Sequence, residues 1–403
     1  FHIWANYTNR VCHLLSNGVH HASAAIVYHA EAEWGGHYQP FEKVVRILAE
    51  EQIDSDVIPI DYLLDGNRSK VLNEKLNINQ EKYDVLIVPY SQCISREFLE
   101  KIKQFAKEKL PVLFVDAYPE KIYYESNNVK QTELLELGVQ ICKLPQLVSY
   151  MKEKSFVDAV LEKRDPYVRI YHYKKENDIY FVTNEDLDHS VSTCITLPRK
   201  AKWIAYDAME DKRFHLKQVE GRVNSYYLEL SPYQSVFIME LNDEKFETGS
   251  VIPSNLIGKL IALSDHWNIY LKQKQEFECI KELKTLKNIS ASDLYPNYSG
   301  HIVYQIAFHV DSDDLDKVAY LSLGEVYEIC TVTLNGKTMG TKITPPYCFD
   351  ITGHIKNENY LEIDVVNTLV KEKGNNYFDR SMVQEPSGLI GPVKVVLEDR
   401  KQG

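Results

Sequence analysis

The feature that most constrains this chain is a change of pattern near residue 165. Before it, continuous apolar runs alternate with amphipathic stretches: "ASAAIVYHA" (22–30), "FEKVVRILAEEQI" (41–53), "DVIPI" (56–60), "YDVLIVPYS" (83–91), "SREFLEKIKQFAKEKL" (95–110) and "PVLFVDAY" (111–118). Phe41, Val44, Val45 and Leu48 fall at helical spacing, and Ser95 stands where a helix N-cap is expected. Strands without polar alternation, separated by amphipathic helices, fit a parallel sheet covered on both faces. Residues 20–160 therefore read as a doubly wound, flavodoxin-like α/β domain.

After 165 the runs are short, rich in β-branched and aromatic residues, and separated by Asn, Asp, Gly and Pro rather than by helices: "YVRIYHY", "NDIYFVTNE", "STCITLP", "KWIAYDA" and "NSYYLELSPYQSVFIMEL". They predict an antiparallel β-sandwich over 161–250. Short strands resume at 297–400 and predict a second sandwich of jelly-roll type, with a third domain running over 251–403. Two charged segments, "EKLNINQEKYD" and the helical reading "YLKQKQEFECIKELK", are taken as solvated faces with i,i+4 pairs. His266 and Trp267 read as a linker anchor, with Trp267 packed on a domain face.

The 403 residues carry 46 basic and 58 acidic side chains, a formal net charge of -12, so no general basic field exists to gather nucleic acid or an anionic membrane. No apolar run approaches the roughly 20 residues needed to cross a bilayer. Tyrosine is abundant, with 27 residues, which suits sheets and stacking surfaces. Seven cysteines (Cys12, Cys93, Cys142, Cys194, Cys279, Cys330 and Cys348) show no C-x-x-C pair, so neither a disulfide framework nor a zinc knuckle is expected, and a reducing, cytoplasmic setting is favoured. The opening Phe1, without a charged-then-apolar leader, suggests an excised or processed piece. The sequons at Asn6, Asn67, Asn288 and Asn297 carry little weight.

Five segments of the C-terminal third, "NYSGHIVYQIAFHV" (297–310), "YLSLGEVYEICTVTLNGKTMGT" (320–341), "TPPYCFDITGHI" (344–355), "NYLEIDVVNT" (359–368) and "SGLIGPVKV" (387–395), resemble the galactose-binding-like jelly roll of family 2 glycoside hydrolases, and the last is closest to the family 106, α-L-rhamnosidase-related group. The stretches 10–36, 56–64 and 83–117 resemble the amidotransferase-like α/β domain that follows the (β/α)₈ barrel in several glycoside hydrolases. The resemblance implies a domain over 1–160, in which residues 1–20 are the exit helix of a barrel missing from the chain, and it implies no catalytic residue here. The barrel's paired carboxylates would perform the hydrolysis.

Candidate contact residues follow from chemistry. The loop "YHAEAEWGGHY" (28–38) places Glu31, Glu33 and Trp34, with His29 and His37, at the carboxyl end of the parallel sheet, where open α/β sheets bind ligands; Asp116, with Asp61, Tyr90 and Tyr118, ends neighbouring strands at that edge. A sugar site in the jelly roll needs an aromatic face and hydrogen-bonding rim groups, and Tyr347, Asn367, Asn376, Arg380 and Glu385 could supply them. Cys93 lacks the glycine-flanked elbow of an amidotransferase nucleophile. No His, Cys or carboxylate spacing fixes three ligands, so no metal or cofactor is expected. The expected partners are carbohydrate and the catalytic barrel. The alternative is a stand-alone carbohydrate-binding or scaffold protein.

Overall fold

The computed structural model describes residues 1–240, 256–273, 276–280, 283–372 and 385–399. It divides into two compact units, one built mainly from Ala5–Leu230 and the other mainly from Ser250–Gly403. Most of the strands in both are antiparallel. No helix among the described residues is long and apolar enough to cross a membrane.

The first unit holds a five-stranded, wholly parallel sheet of β1 (Ala24–Tyr28), β2 (Ser55–Pro59), β3 (Val85–Val88), β4 (Val112–Val115) and β5 (Gln140–Cys142), in the order β5-β4-β3-β1-β2. Both faces are covered, so β3 and β4 are buried at every position and β1 at all but its last residue, Tyr28. Alternate residues serve opposite cores. Leu86 and Val88 join Phe98, Ile102 and Phe105 of the helix Arg96–Lys107, whereas Val85 and Ile87 join Val44 and Leu48 of the helix Phe41–Ala49. Ser95 caps the former helix by accepting the Phe98 N–H at 3.2 Å.

The same unit carries a β-sandwich with its own core. A six-stranded sheet runs in the order Val19–His20, β6 (Val168–Lys174), β7 (Asp178–Asn184), β12 (Ser235–Glu240), β9 (Trp203–Asp207), β10 (Lys212–His215), and faces Val160–Leu161, β8 (Val191–Thr196) and β11 (Ser225–Leu230). Tyr180, Trp203, Ile195, Leu228 and Ile238 fill the space between them. A helix at His2–Leu14 lays Tyr7, Val11 and Leu14, at helical spacing, against the outer face of the larger sheet beside Tyr173, Tyr206 and Phe237.

The second unit is a sandwich of two antiparallel sheets. One has the order β13 (Lys259–Ala262), β22 (Lys394–Glu398), β17 (Val318–Ser322), β20 (Cys348–Asp350); the other has β15 (Glu276–Cys279), β14 (Asn268–Gln273), β16 (His301–His309), β21 (Glu358–Val366), β18 (Ile329–Leu334), β19 (Lys337–Lys342). Asn335 and Gly336, both at positive φ, make the two-residue turn between β18 and β19.

Three sequence readings are corrected. The charged run at 74–84 is not simply a solvated face with i,i+4 pairs. It belongs to an antiparallel meander over Ser69–Leu72, Lys75–Ile78 and Glu81–Tyr83, which buries Leu76, Ile78 and Tyr83 on one face and turns at Asn73-Glu74 and Asn79, all with positive φ. Asn268–Gln273 and Glu276–Cys279 form strands, not a helix: Ile269 and Leu271 are buried with period two, and that burial outweighs the i,i+4 charge spacing. Trp267 is no linker anchor; it is wholly buried in the C-terminal core, and its indole N–H donates to the Leu263 carbonyl.

Candidate functional site

At the carboxyl edge of the parallel sheet, β1 runs into His29 and a single 3-10 turn, Ala30–Trp34. Glu31, Glu33 and Trp34 are exposed here, Trp34 by 83%. The loop beneath them is fastened. Gly35 lies against the Tyr123 ring so closely that a Cβ would overlap it, Cys93 donates its thiol proton to the Gly35 carbonyl, and the His37 N–H bonds the Gln92 side chain. Gln39 N–H bonds the Tyr90 carbonyl.

Asp116 does not face a ligand crevice. One carboxylate oxygen accepts from the Gln39 amide at 3.0 Å and the other from the Leu144 N–H at 3.0 Å, so it ties the loops after β1, β4 and β5 together. Tyr118 is buried with its hydroxyl on the Val139 carbonyl. Beneath the loop lies a cavity of about 30 Å³ lined by His29, Glu31, Cys93, Phe98, Phe114 and Tyr123. That is room for a water or two, far below the roughly 300 Å³ at which small-molecule pockets begin. Burial holds His29 below the usual imidazole range and therefore neutral, with Nε2 unpartnered. Because the Cys93 proton goes to a carbonyl and not to an imidazole, the geometry lacks a nucleophile–base pair at this cysteine. What this edge offers a ligand is a surface: an exposed indole on the same short turn as two exposed carboxylates.

In the C-terminal unit, Tyr347 presents no open face. It is 7% exposed, its ring lies in the core, and its hydroxyl donates to the Glu328 carbonyl at 2.6 Å. Asn367 is likewise committed. Its carbonyl oxygen accepts from the Gly300 N–H and its amide donates to Tyr298 and Ser387, which braces three loops. Asn376 and Arg380 lie outside the described residues. Glu385 is exposed, and around it the structure gathers groups that the sequence did not single out. The buried Lys371 ammonium donates to the Glu385 backbone carbonyl, and burial pulls its pKa down against the opposing pull of Glu328 and Glu385. Glu328, half-buried, has its carboxyl pushed up by burial and by the Glu385 charge, with Lys371 offsetting part of the shift. Tyr327, beside it, is pushed up by burial and by Glu325 and Glu385. A raised carboxyl, a second carboxylate, a depressed lysine and a half-exposed tyrosine at one corner are the ingredients of a polar binding site.

No protein-family model matches the chain, and no curated protein matches its sequence. Solved structures do match its fold. A rhamnosidase from Novosphingobium sp. PP1Y superimposes with a TM-score of 0.68 over 98% of this chain, at 19% identity, and the match covers 41% of that enzyme. The chain therefore spans about two fifths of that protein's length and shares the fold of that portion. A β-galactosidase from Bacillus circulans sp. alkalophilus matches 58% of this chain and 44% of its own at 11% identity and a TM-score of 0.42, and a Ruminococcus gnavus β-glucuronidase matches 34% and 28% at 16% identity and 0.28.

Proposed function

We propose that this chain is an accessory, non-catalytic part of a glycoside hydrolase whose catalytic barrel cleaves an O-glycosidic bond, with an α-L-rhamnoside as the first substrate to try. The observation that carries this reading is fold correspondence over 98% of the chain with a portion of a rhamnosidase. Two further features support it. The strand order of the parallel sheet is compatible with a flavodoxin-like, amidotransferase-like domain, and the C-terminal pair of antiparallel sheets with a galactose-binding-like jelly roll. We place the functional divisions near 160 and 250, where the cores change.

Within this reading the sugar-facing groups move from Tyr347 and Asn367, which are structural, to Tyr327, Glu328, Lys371 and Glu385, and to the Trp34 crest with Glu31 and Glu33. The competing reading, a stand-alone carbohydrate-binding or scaffold protein, makes the same contacts without a hydrolase partner. A panel of aryl glycosides including rhamnosides tests the proposal, with no turnover expected from this chain. Turnover abolished by Glu328→Gln would overturn it, because Glu328 and Glu385 would then be acting as the acid and base of hydrolysis.

A further inference from the structure

His21, Asp158 and His172 come together in the first unit, with one potential ligand atom from each lying within 4.8 Å of the other two. They arrive from separate places: His21 follows Val19–His20, Asp158 precedes Val160–Leu161, and His172 lies in β6. The His21 N–H donates to the His172 carbonyl, which fixes the two imidazoles 4.8 Å apart, ring to ring, at a steep angle.

The groups behind them orient His172. It is 6% exposed, and its Nε2 meets an Asp178 oxygen at 3.1 Å; Arg199 donates to the other Asp178 oxygen at 2.7 Å. A carboxylate on one ring nitrogen, itself held by a cation, sets the tautomer that leaves Nδ1 as a lone pair, which is how metal-bound histidines are usually supported. Nδ1 lies in ion-pair contact with Asp158 Oδ2, yet neither of these buried atoms has a hydrogen-bond partner. Tyr180 takes the other Asp158 oxygen at 3.4 Å. Asp158 and His21 are half-exposed, which gives a small ion access to the buried imidazole.

We propose that His21, Asp158 and His172 bind one divalent first-row transition-metal ion of the zinc type. Two imidazoles and one carboxylate suit that class, whereas calcium and magnesium take oxygen ligands. Metal–ligand distances of about 2.0–2.2 Å put ligand atoms of a tetrahedral site about 3.3–3.6 Å apart. Binding thus draws the His21 ring inward and parts Asp158 from His172. The ion ties the segment leaving the parallel sheet to the first strands of the sandwich. In the competing arrangement His172 is an imidazolium clamped between Asp158 and Asp178, and His21 plays no part.

The test uses the whole chain stripped with EDTA, titrated with Co²⁺ alone and then with Zn²⁺. The expected result is one Co²⁺ per chain with the visible absorption of a low-coordinate nitrogen/oxygen site, displacement by Zn²⁺, and a Tm raised by Zn²⁺. His21→Gln, at a half-exposed ring, should weaken binding at least tenfold and remove the Zn²⁺ effect on Tm. Asp178→Asn should weaken binding about 10–100-fold, as loss of an orienting partner does. Absence of saturable binding, or equal binding by wild type and His21→Gln, overturns the proposal. Should Asp178→Asn fail to fold, the His21→Gln comparison decides alone.

Discussion

Replacing Tyr347 separates a stacking platform from a core residue. Its ring is packed with Phe349, Cys330 and the other residues of the C-terminal core, and its hydroxyl donates to the Glu328 carbonyl at 2.6 Å. Tyr347→Phe keeps the ring but leaves that part-buried carbonyl without its donor, at a cost of about 1–3 kcal/mol. Tyr347→Ala also removes the ring and leaves a cavity, which raises the cost to about 3–5 kcal/mol. Denaturant unfolding, followed by the fluorescence of Trp267 in the same core, should therefore rank wild type above Phe above Ala, with unchanged slopes. Rhamnose-induced chemical shift changes, where seen in wild type, should survive in Tyr347→Phe. An Ala variant as stable as wild type that had lost those shifts would refute the core assignment and restore the ring as a sugar platform.

Trp34→Ala should change the stability of this chain by less than about 0.5 kcal/mol by thermal or denaturant unfolding, because the ring is 83% exposed; a larger loss would mean that it packs internally. Gly388→Ala should be severe, about 2–6 kcal/mol, since a Cβ there falls 2.2 Å from the Tyr304 hydroxyl and φ is +94°; near-wild-type unfolding would contradict this backbone. Glu328 titrates above its ordinary value of 4.5 in the folded chain, so the native state holds that proton more tightly than the unfolded state does, and stability falls as pH rises from near 4.5 through the raised value. Glu328→Gln should therefore stabilise the C-terminal unit at pH 7, with the gain shrinking below pH 4.5; unfolding curves at the two pH values showing a constant or reversed difference would contradict the shift.

The parallel sheet was legible because a strand buried on both faces has to be apolar at every position, as Val85–Val88 and Val112–Val115 are, and Ser95 announced its helix by local chemistry alone. The meander at 69–83 was hidden because its buried apolar set is just Leu76, Ile78 and Tyr83 among charged neighbours. Asn268–Gln273 misleads for a related reason: the charge spacing in the sequence from Lys272 onward also suits a helix, and the sheet that buries Ile269 and Leu271 is made with β16 from a later part of the chain. Tyr347 reads as a sugar-facing aromatic because Pro345 and Pro346, just before it in the sequence, set backbone direction without saying which side the ring takes. Neither the Glu328, Lys371, Glu385 corner nor the His21, Asp158, His172 group has a motif. Each brings together residues far apart in the sequence, and a scan for ligand spacing along the chain does not see it.

The fastening of the loop at 29–38 has a thermodynamic consequence for whatever covers it. Gly35 against Tyr123, Cys93 on the Gly35 carbonyl and Gln92 on His37 leave the backbone under Trp34 with little freedom to lose. An aromatic on a mobile loop gives back much of its contact energy when it is immobilised, commonly about 0.5–1.5 kcal/mol per side chain in addition to the backbone. Trp34 stands on a pedestal that is already ordered, so a flat apolar face laid on it would lose mainly the entropy of the indole's own rotamers. A ligand that is weak by area alone can then be held selectively, through the fixed direction of the ring rather than through the extent of the surface it covers.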